Sequence, residues 1–541
     1  MNLKQNQISY IGAITFFIGL ILIILSWHFT YPIYMPELNE ITFTQFYPTI
    51  WPGIVLSTIG LFFAGYYSKR KSIKIICIAI FPIIMASIAY FFSYLPTSDS
   101  AGIKAMFEVF HHIGLDSSVE SYFQFPTFFT LNEASSQILS LNAIGIGLIF
   151  FTLFGVLISV YIFLFLRNIS INQSFNIAFL AVILYFTGIF LNLNYQWVPQ
   201  TLAFVLFVLL LVIFNKNRFE YQLLSLIIFT ALTFTHLVIP TIFLLFLVFY
   251  SLKEREYQNS FLLMGCIYVA ALFYHATFYT PLIFEVFRES VYGFGEDYAV
   301  SISRSFKEPT SFTDQILSTT NRIRIPLTWL IVSIGFLLLW IKKKISYTAI
   351  ALSFVGGLYL FIGFFYPVLG TRSLQILFIP LVIGIVFYLY KWRKPTLILV
   401  AILLILSISG PMRDAYDTYL FQLEEEEHAC NFMAETIQTN RSIQLAIGGI
   451  NTGYFSVKYS YLNLKNNRTY NLKMFKPKNP EFYQLFNISI DRDTYVLYNS
   501  NLAREMISYG MNIEDVELRK QSLNRQNKIY ISGGTTINIG R

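Results

Sequence analysis

The chain is poor in charge: Asp, Glu, Lys and Arg make up 13% of its 541 residues, against roughly 25% in soluble globular proteins. With 55% hydrophobic residues and a mean hydropathy of +0.58, a water-bathed globule is excluded. Cysteine is also scarce. Cys77 and Cys266 lie inside apolar stretches and Cys430 alone in a polar one, so neither a disulfide framework nor a zinc spacing is present. No G-x-x-x-x-G-K-[ST] occurs, which excludes a P-loop motor within this chain. Ionisable residues are nearly absent deep inside the apolar stretches, His275 being the main exception. That weighs against an ion-coupled carrier, whose transport path needs such groups. The stretches also lack the two-residue alternation of a membrane barrel.

What is present is a series of apolar blocks near the roughly 20 residues that a helix needs to cross the hydrocarbon layer. Spans are expected at 8–27, 48–67, 74–95, 143–166, 175–192, 200–215, 221–235, 237–252, 260–283, 326–341, 346–367, 373–390 and 395–410. The short seventh and eighth read as a tight hairpin with Thr235 and His236 at its tip. The first block, Ile8 to Trp27, exceeds the usual signal-peptide core and lacks a small-residue cleavage site, so it reads as a retained span. The expected fold class is therefore an α-helical polytopic membrane protein of about thirteen transmembrane helices.

Charge sets the orientation. If the N-terminus is cytoplasmic, the inner segments hold 16 Lys and Arg and the outer loops before the tail hold 7, as the positive-inside rule requires. The net charge of +8 thus reads as a topology signal rather than a nucleic-acid footprint. Trp27, Trp51 and Trp197 at outer ends, with Trp340 and Trp392 at inner ends, are expected as interfacial anchors. The inner loops are too short for a catalytic domain, so chemistry belongs outside. There the chain offers loops 96–142 and 284–325 and a tail, 411–541, beyond the membrane part, 1–410.

In the first loop, Ile103, Met106, Phe107 and Phe110 recur at helical spacing, which predicts an amphipathic surface helix. Asp99 in its first turn suits either a helix cap or a catalytic acid. Glu108 and Asp116 are further carboxylates; Lys104 and Glu108 form an i,i+4 pair. His111 and His112 are adjacent and diverge, a poor metal site. In the second loop Gly293 and Gly295 flank Phe294 among mixed charges. Arg322 and Arg324 stand just before the tenth span and Arg372 at the start of the twelfth. Each suits either an interfacial anchor or a phosphate-binding fork. The tail predicts a small α/β domain, with a helix over 424–438 and strands at 443–447 and 495–498.

Several short motifs carry a resemblance. Ser98-Asp99-Ser100 leads a helix that ends at His112-Ile113-Gly114, and Tyr122 to Pro126 follows. Tyr195-Gln196-Trp197-Val198-Pro199-Gln200 opens the sixth span. Thr235-His236 precedes Pro240, Arg372 sits in a late outer loop, and Asn527-Lys528-Ile529-Tyr530 runs on to Gly533. Together these resemble the membrane glycosyltransferases of the GT-C superfold, especially archaeal members. The family's early acid follows its first span; here that loop holds only Glu37 and Glu40, and Asp99 follows the third. The resemblance therefore implies an added N-terminal hairpin. No Asp-x-Asp or Asp-x-Glu pair is present, and Ile103 and Lys104 stand where relatives carry a His or Arg.

The resemblance implies transfer of a sugar from a polyprenyl-phosphate donor in the membrane lipid to a glycan or protein acceptor on the outer face, with no nucleic acid involved. Asp99 would act as base, with Glu108 or Asp116 behind it. Arg372 would bind the donor phosphate, then Arg322, Arg324 and His236. No cofactor is required, and a divalent metal ion is compatible with the family. Sequons at Asn440, Asn467 and Asn487 fit an exposed tail. Two other readings stay open: a carrier or flippase of lipid-linked sugars, and a non-catalytic component of a cell-envelope assembly.

Overall fold

The computed structural model describes residues 2–30, 48–92, 98–114, 123, 125–170, 174–189, 196–214, 216, 218–253, 258–276, 312–363, 367–409, 424–436, 442–446, 471–475, 494–498, 527–532 and 535–539, with a few positions between 455 and 521. Each expected span falls on a helix: α1 Asn2–Thr30, α2 Ile50–Tyr67, α3 Lys71–Phe92, α6 Ala143–Ile169, α7 Phe175–Gly188, α8 Pro199–Ile213, α9 Phe219–Thr233, α10 Val238–Ser251, α11 Gln258–Tyr274, α12 Phe312–Ile341, α13 Tyr347–Gly363, the pair α14 Pro367–Leu381 and α15 Ile385–Lys391, and α16 Arg393–Ser407. Two helices of the first outer loop, α4 Ser98–Ile113 and α5 Pro126–Leu139, lie between them.

Among the described residues five helical stretches are long and apolar enough to cross a membrane: Gln5–Phe29, Ile50–Tyr67, Ala143–Ile169, Thr319–Ile341 and Ser373–Lys391. Others are apolar but shorter. Helix α8 has 15 residues, about 22 Å at the α-helical rise. It is buried nearly all round, as α7 is, so both sit inside the bundle. Helix α1 is the opposite case, with Tyr10, Ile14, Phe17, Ile21 and Ile24 exposed along one side.

The other side of α1 meets α2 at very close range. A Cβ on Gly12 would lie 2.5 Å from the Ala64 amide nitrogen, and one on Gly19 2.6 Å from the Gly53 carbonyl oxygen. Small residues let two backbones approach to this degree. Ser9 Oγ donates to the Ala64 carbonyl at 3.0 Å near one end, and Ser26 Oγ meets Thr49 Oγ1 at 2.7 Å near the other. These two helices pack as a pair along their length.

Two expectations need correction. The twelfth span is not one continuous α-helix: after Pro380 a 3₁₀ turn, Val382–Gly384, joins α14 to α15. That turn packs on α12, where Gly384 and Gly335 leave no room for a Cβ on either. Nor do Arg322 and Arg324 precede their helix. Helix α12 begins at Phe312 and runs through Pro326; that proline forfeits only the bond its own N–H would give four residues back.

The tail holds α17, Glu424–Thr436, and five strands: β1 Ser442–Ala446, β2 Asn471–Phe475, β3 Thr494–Tyr498, β4 Asn527–Ser532 and β5 Thr535–Ile539. They form one mixed sheet of order β2-β1-β3-β5-β4. The β1 strand pairs parallel to β2 and β3, whereas β5 pairs antiparallel to β3 and β4. Ala429, Cys430 and Met433 of α17 are buried, as are Leu497 and Ile537 of the sheet.

Candidate functional site

Helix α4 organises the region where the loop 96–142 meets the tail. It stops at Gly114, whose φ of +67° is a left-handed conformation that suits glycine. The Gly114 amide closes the last turn on the Phe110 carbonyl at 2.8 Å. Ile103, Phe107 and Phe110 are buried, as the spacing predicted. Phe110 packs with Phe123 and Phe129 at centroid distances of 5.6 Å each. Phe107 meets the Trp197 ring edge-on at 5.8 Å. The helix is sandwiched rather than half-wetted, because Lys104, expected on a solvated face, is itself buried.

Lys104 pairs with Glu427 of α17 and lies 3.9 Å from Glu108. Glu108 in turn accepts a 2.6 Å ion pair from Lys458. This alternating row of charges ties the outer loop to the tail. His112 stacks on Tyr461, a second link to the same segment. His111 turns elsewhere and meets Glu133 of α5 at 2.8 Å, where Gln137 also donates at 2.8 Å. Glu108 is thus held by two lysines, which suits positioning better than open proton transfer.

Trp197 is fully buried, not an interfacial anchor. Its indole N–H donates to Asn132 Oδ1 at 2.8 Å, and Asn132 Nδ2 donates to the Phe128 carbonyl at 2.7 Å. The motif ahead of Pro199 therefore locks the α8 entrance against α5. Pro199 sits in the first turn of α8, where its missing N–H costs nothing.

The α9–α10 hairpin has the expected tip. His236 Nδ1 accepts the Val238 amide at 3.2 Å, so the ring helps to start α10. The Phe234 carbonyl receives the Thr127 amide at 3.4 Å, joining the tip to the start of α5. His275, at the outer end of α11 rather than deep in a span, is stacked on Phe125 at 4.8 Å and lies 5.8 Å from Phe234. Beside this cluster a cavity of about 650 Å³ opens between α5 and α9, lined by Pro126, Thr127, Thr130, Ile227, Ala231 and Phe234 among others.

The arginines part company. Arg324 is buried and donates to the Thr187 carbonyl at 2.5 Å and to Asn321 Oδ1 at 2.9 Å. Arg322 is exposed. Asp99 and Arg372 belong to α4 and α14, with side chains outside the described residues, as are Asp116, the sequons and the glycines near Phe294. Among the described residues no three His, Cys, Asp or Glu side chains converge on a metal position.

Asn132, Glu427 and Lys458 join this region without any local sign in the sequence, whereas His275 stood out there only as an ionisable residue within an apolar stretch. Their roles arise from partners far along the chain.

No family model matches the sequence, and no curated protein matches it. Among solved structures the chain is similar to the archaeal oligosaccharyltransferase AglB from Archaeoglobus fulgidus in complex with an inhibitory peptide and a dolichol-phosphate, with 11% identity, a TM-score of 0.46, and 88% of this chain and 75% of that one covered. It is also similar to the Archaeoglobus fulgidus oligosaccharyltransferase tethered to an acceptor peptide containing the NVT sequon, with 11% identity, a TM-score of 0.45, and 84% and 72% covered. These structural neighbours are membrane glycosyltransferases of the GT-C fold.

Proposed function

We propose that this protein is a GT-C-type glycosyltransferase that moves a sugar from a polyprenyl-phosphate carrier to a glycan or protein acceptor at the extracytoplasmic face of the cell membrane. The observation that carries the reading is the double use of α5. One of its sides, with Phe128, Phe129 and Asn132, holds the packing that fixes the acid-led helix α4. The other, with Pro126, Thr127 and Thr130, lines an apolar cavity of about 650 Å³, suited to the isoprenoid chain of a lipid donor. A helix led by an acidic residue and a groove for a lipid chain, both held by one further helix, are the two parts such a transfer needs.

In the proposed reaction the acceptor hydroxyl attacks the anomeric carbon. The new C–O bond forms as the bond from that carbon to the phosphate oxygen breaks. Its electron pair leaves with the polyprenyl phosphate, and Asp99 takes the acceptor's proton as general base. Arg372, with Arg322 next, neutralises the departing phosphate through a planar fork. Arg324 serves the fold instead, since its guanidinium is buried and bridges the Thr187 carbonyl and Asn321. His236 is engaged at the hairpin tip, and Glu108 positions α4. The tail, 411–541, guides the acceptor, and the charge count puts it outside and the N-terminus inside.

The test is purified protein in lipid nanodiscs, supplied with a panel of polyprenyl-phosphate sugars. Asp99→Asn is expected to abolish transfer while leaving donor binding and thermal stability unchanged. Neither binding nor turnover of any donor would overturn the proposal.

A further inference from the structure

On the face opposite α4, the face that the charge count puts inside, a cavity of about 320 Å³ lies where α2, α3, α7 and α16 meet. Among the described residues its lining includes Lys69, Lys71, Lys74 and Arg393 and no Asp or Glu. Four like charges around so small a space repel one another unless an anion joins them. The polar remainder of the lining includes Ser174 and Asn176, at the start of α7, where Ser174 caps the helix. Helices α3, α7 and α16 all begin at the cavity, with Lys71, Phe175 and Arg393 as their first residues, and α2 ends there at Tyr67, so three positive helix ends and one negative end border it.

The site is built rather than incidental. Lys74 is 3% exposed, and its ammonium donates to the Gly65 and Tyr66 carbonyls at 2.7 and 3.0 Å, leaving the third of its three donors for a ligand. Lys71 of the lining and Arg167 both approach the Phe175 ring, at 5.0 and 4.8 Å, so this one lining ring draws two cations together. Lys69, Lys71 and Arg393 are exposed, as an entrance requires.

We infer that this cavity binds a phosphate group at the inner membrane surface, with an anionic phospholipid headgroup or soluble phosphate as its source. A phosphate oxygen accepts from the buried Lys74 while Lys69, Lys71 and Arg393 close around the remaining oxygens. The inference does not depend on the proposed sugar transfer, which lies on the other face.

The experiment uses the full chain in detergent and follows thermal stability and native mass spectra on adding phosphatidylglycerol, phosphatidylcholine or inorganic phosphate. Phosphatidylglycerol is expected to stabilise and to stay bound, and phosphatidylcholine to do neither. The triple variant Lys69→Gln, Lys71→Gln, Arg393→Gln is expected to keep its fold, because all three are exposed, and to lose about fivefold in affinity per charge. The matching variant at Lys342, Lys343 and Lys344, on another inner loop, is expected to retain binding. Stabilisation by inorganic phosphate alone, lost in the triple variant, supports the site and assigns the soluble source. Equal effects of the two lipids with none from phosphate, or unchanged binding in the triple variant, overturns the inference.

Discussion

Trp197 and Asn132 meet at 2.8 Å in the interior of the outer half of the bundle, indole N–H to side-chain oxygen. Each is fully buried, and each would be left unsatisfied without the other. Removing one partner from such a bond costs the desolvation of the survivor, about 1–3 kcal/mol. Asn132→Ala and Trp197→Phe are therefore each expected to lower stability by that order, with the double variant costing less than the sum. Thermal unfolding of all three in detergent measures the coupling; strict additivity would mean that the bond contributes nothing.

A second prediction concerns the seam between α4 and the tail. Lys104 is buried beside Glu427, so Lys104→Met removes the charged partner of that pair. Breaking such a pair from one side costs about 3–5 kcal/mol when it is well buried. Glu427 retains 20% of its side-chain exposure, so the lower end of that range applies. Faster proteolytic release of the tail from Lys104→Met than from wild type is the expected readout. The exchange Lys104→Glu with Glu427→Lys is expected to restore part of the protection. Equal cleavage rates in every variant would show that the seam does not hold the tail.

The α1–α2 hairpin gives a third. Gly60 faces α1 so closely that a Cβ would collide with the backbone of Phe16 and Gly12. Gly60→Leu is expected to separate the two helices, because overpacking a fixed contact costs about 1–3 kcal/mol. Gly265→Leu, where a Cβ meets nothing within 4 Å, is the matched control. Disulfide trapping between cysteines introduced at Ala13 and Leu61 reports the separation; equal trapping in both variants would contradict the close packing.

These contacts divide what the sequence carried from what it did not. The apolar blocks marked where helices lie because a membrane helix advertises itself locally, residue after residue. The amphipathic spacing of Ile103, Phe107 and Phe110 marked α4 for the same reason, and the tail helix and two of its strands, β1 and β3, were visible as runs. The other strands, β2, β4 and β5, are short and find their order only through pairing. Lys104 looked solvated because its partner Glu427 stands 323 positions away. Trp197 looked like a membrane-edge residue because its position is the same whether the ring faces lipid or Asn132. Nothing local in a sequence separates those cases.

The two arginines of α12 show how finely that matters. Two positions along an α-helix are about 200° apart around its axis, so Arg322 and Arg324 face opposite ways. Arg324 bridges Thr187 of α7 and Asn321, and Asn321 Oδ1 also receives Ser409 Oγ at 2.9 Å. Arg324→Met strips a carbonyl and an amide of a charged donor, and the loss of bonds to a charged group costs about 1.5–3 kcal/mol each. Lysine cannot replace the fork with its single ammonium, so Arg324→Lys is expected to recover only part. Arg322→Gln, at an exposed position, is expected to leave stability within about 0.5 kcal/mol of wild type. If Arg322 assists the donor phosphate, the same change raises the donor KM with a smaller effect on kcat. Thermal unfolding and donor titration of the three variants separate the roles, and an Arg322→Gln protein as unstable as Arg324→Met would dissolve the distinction.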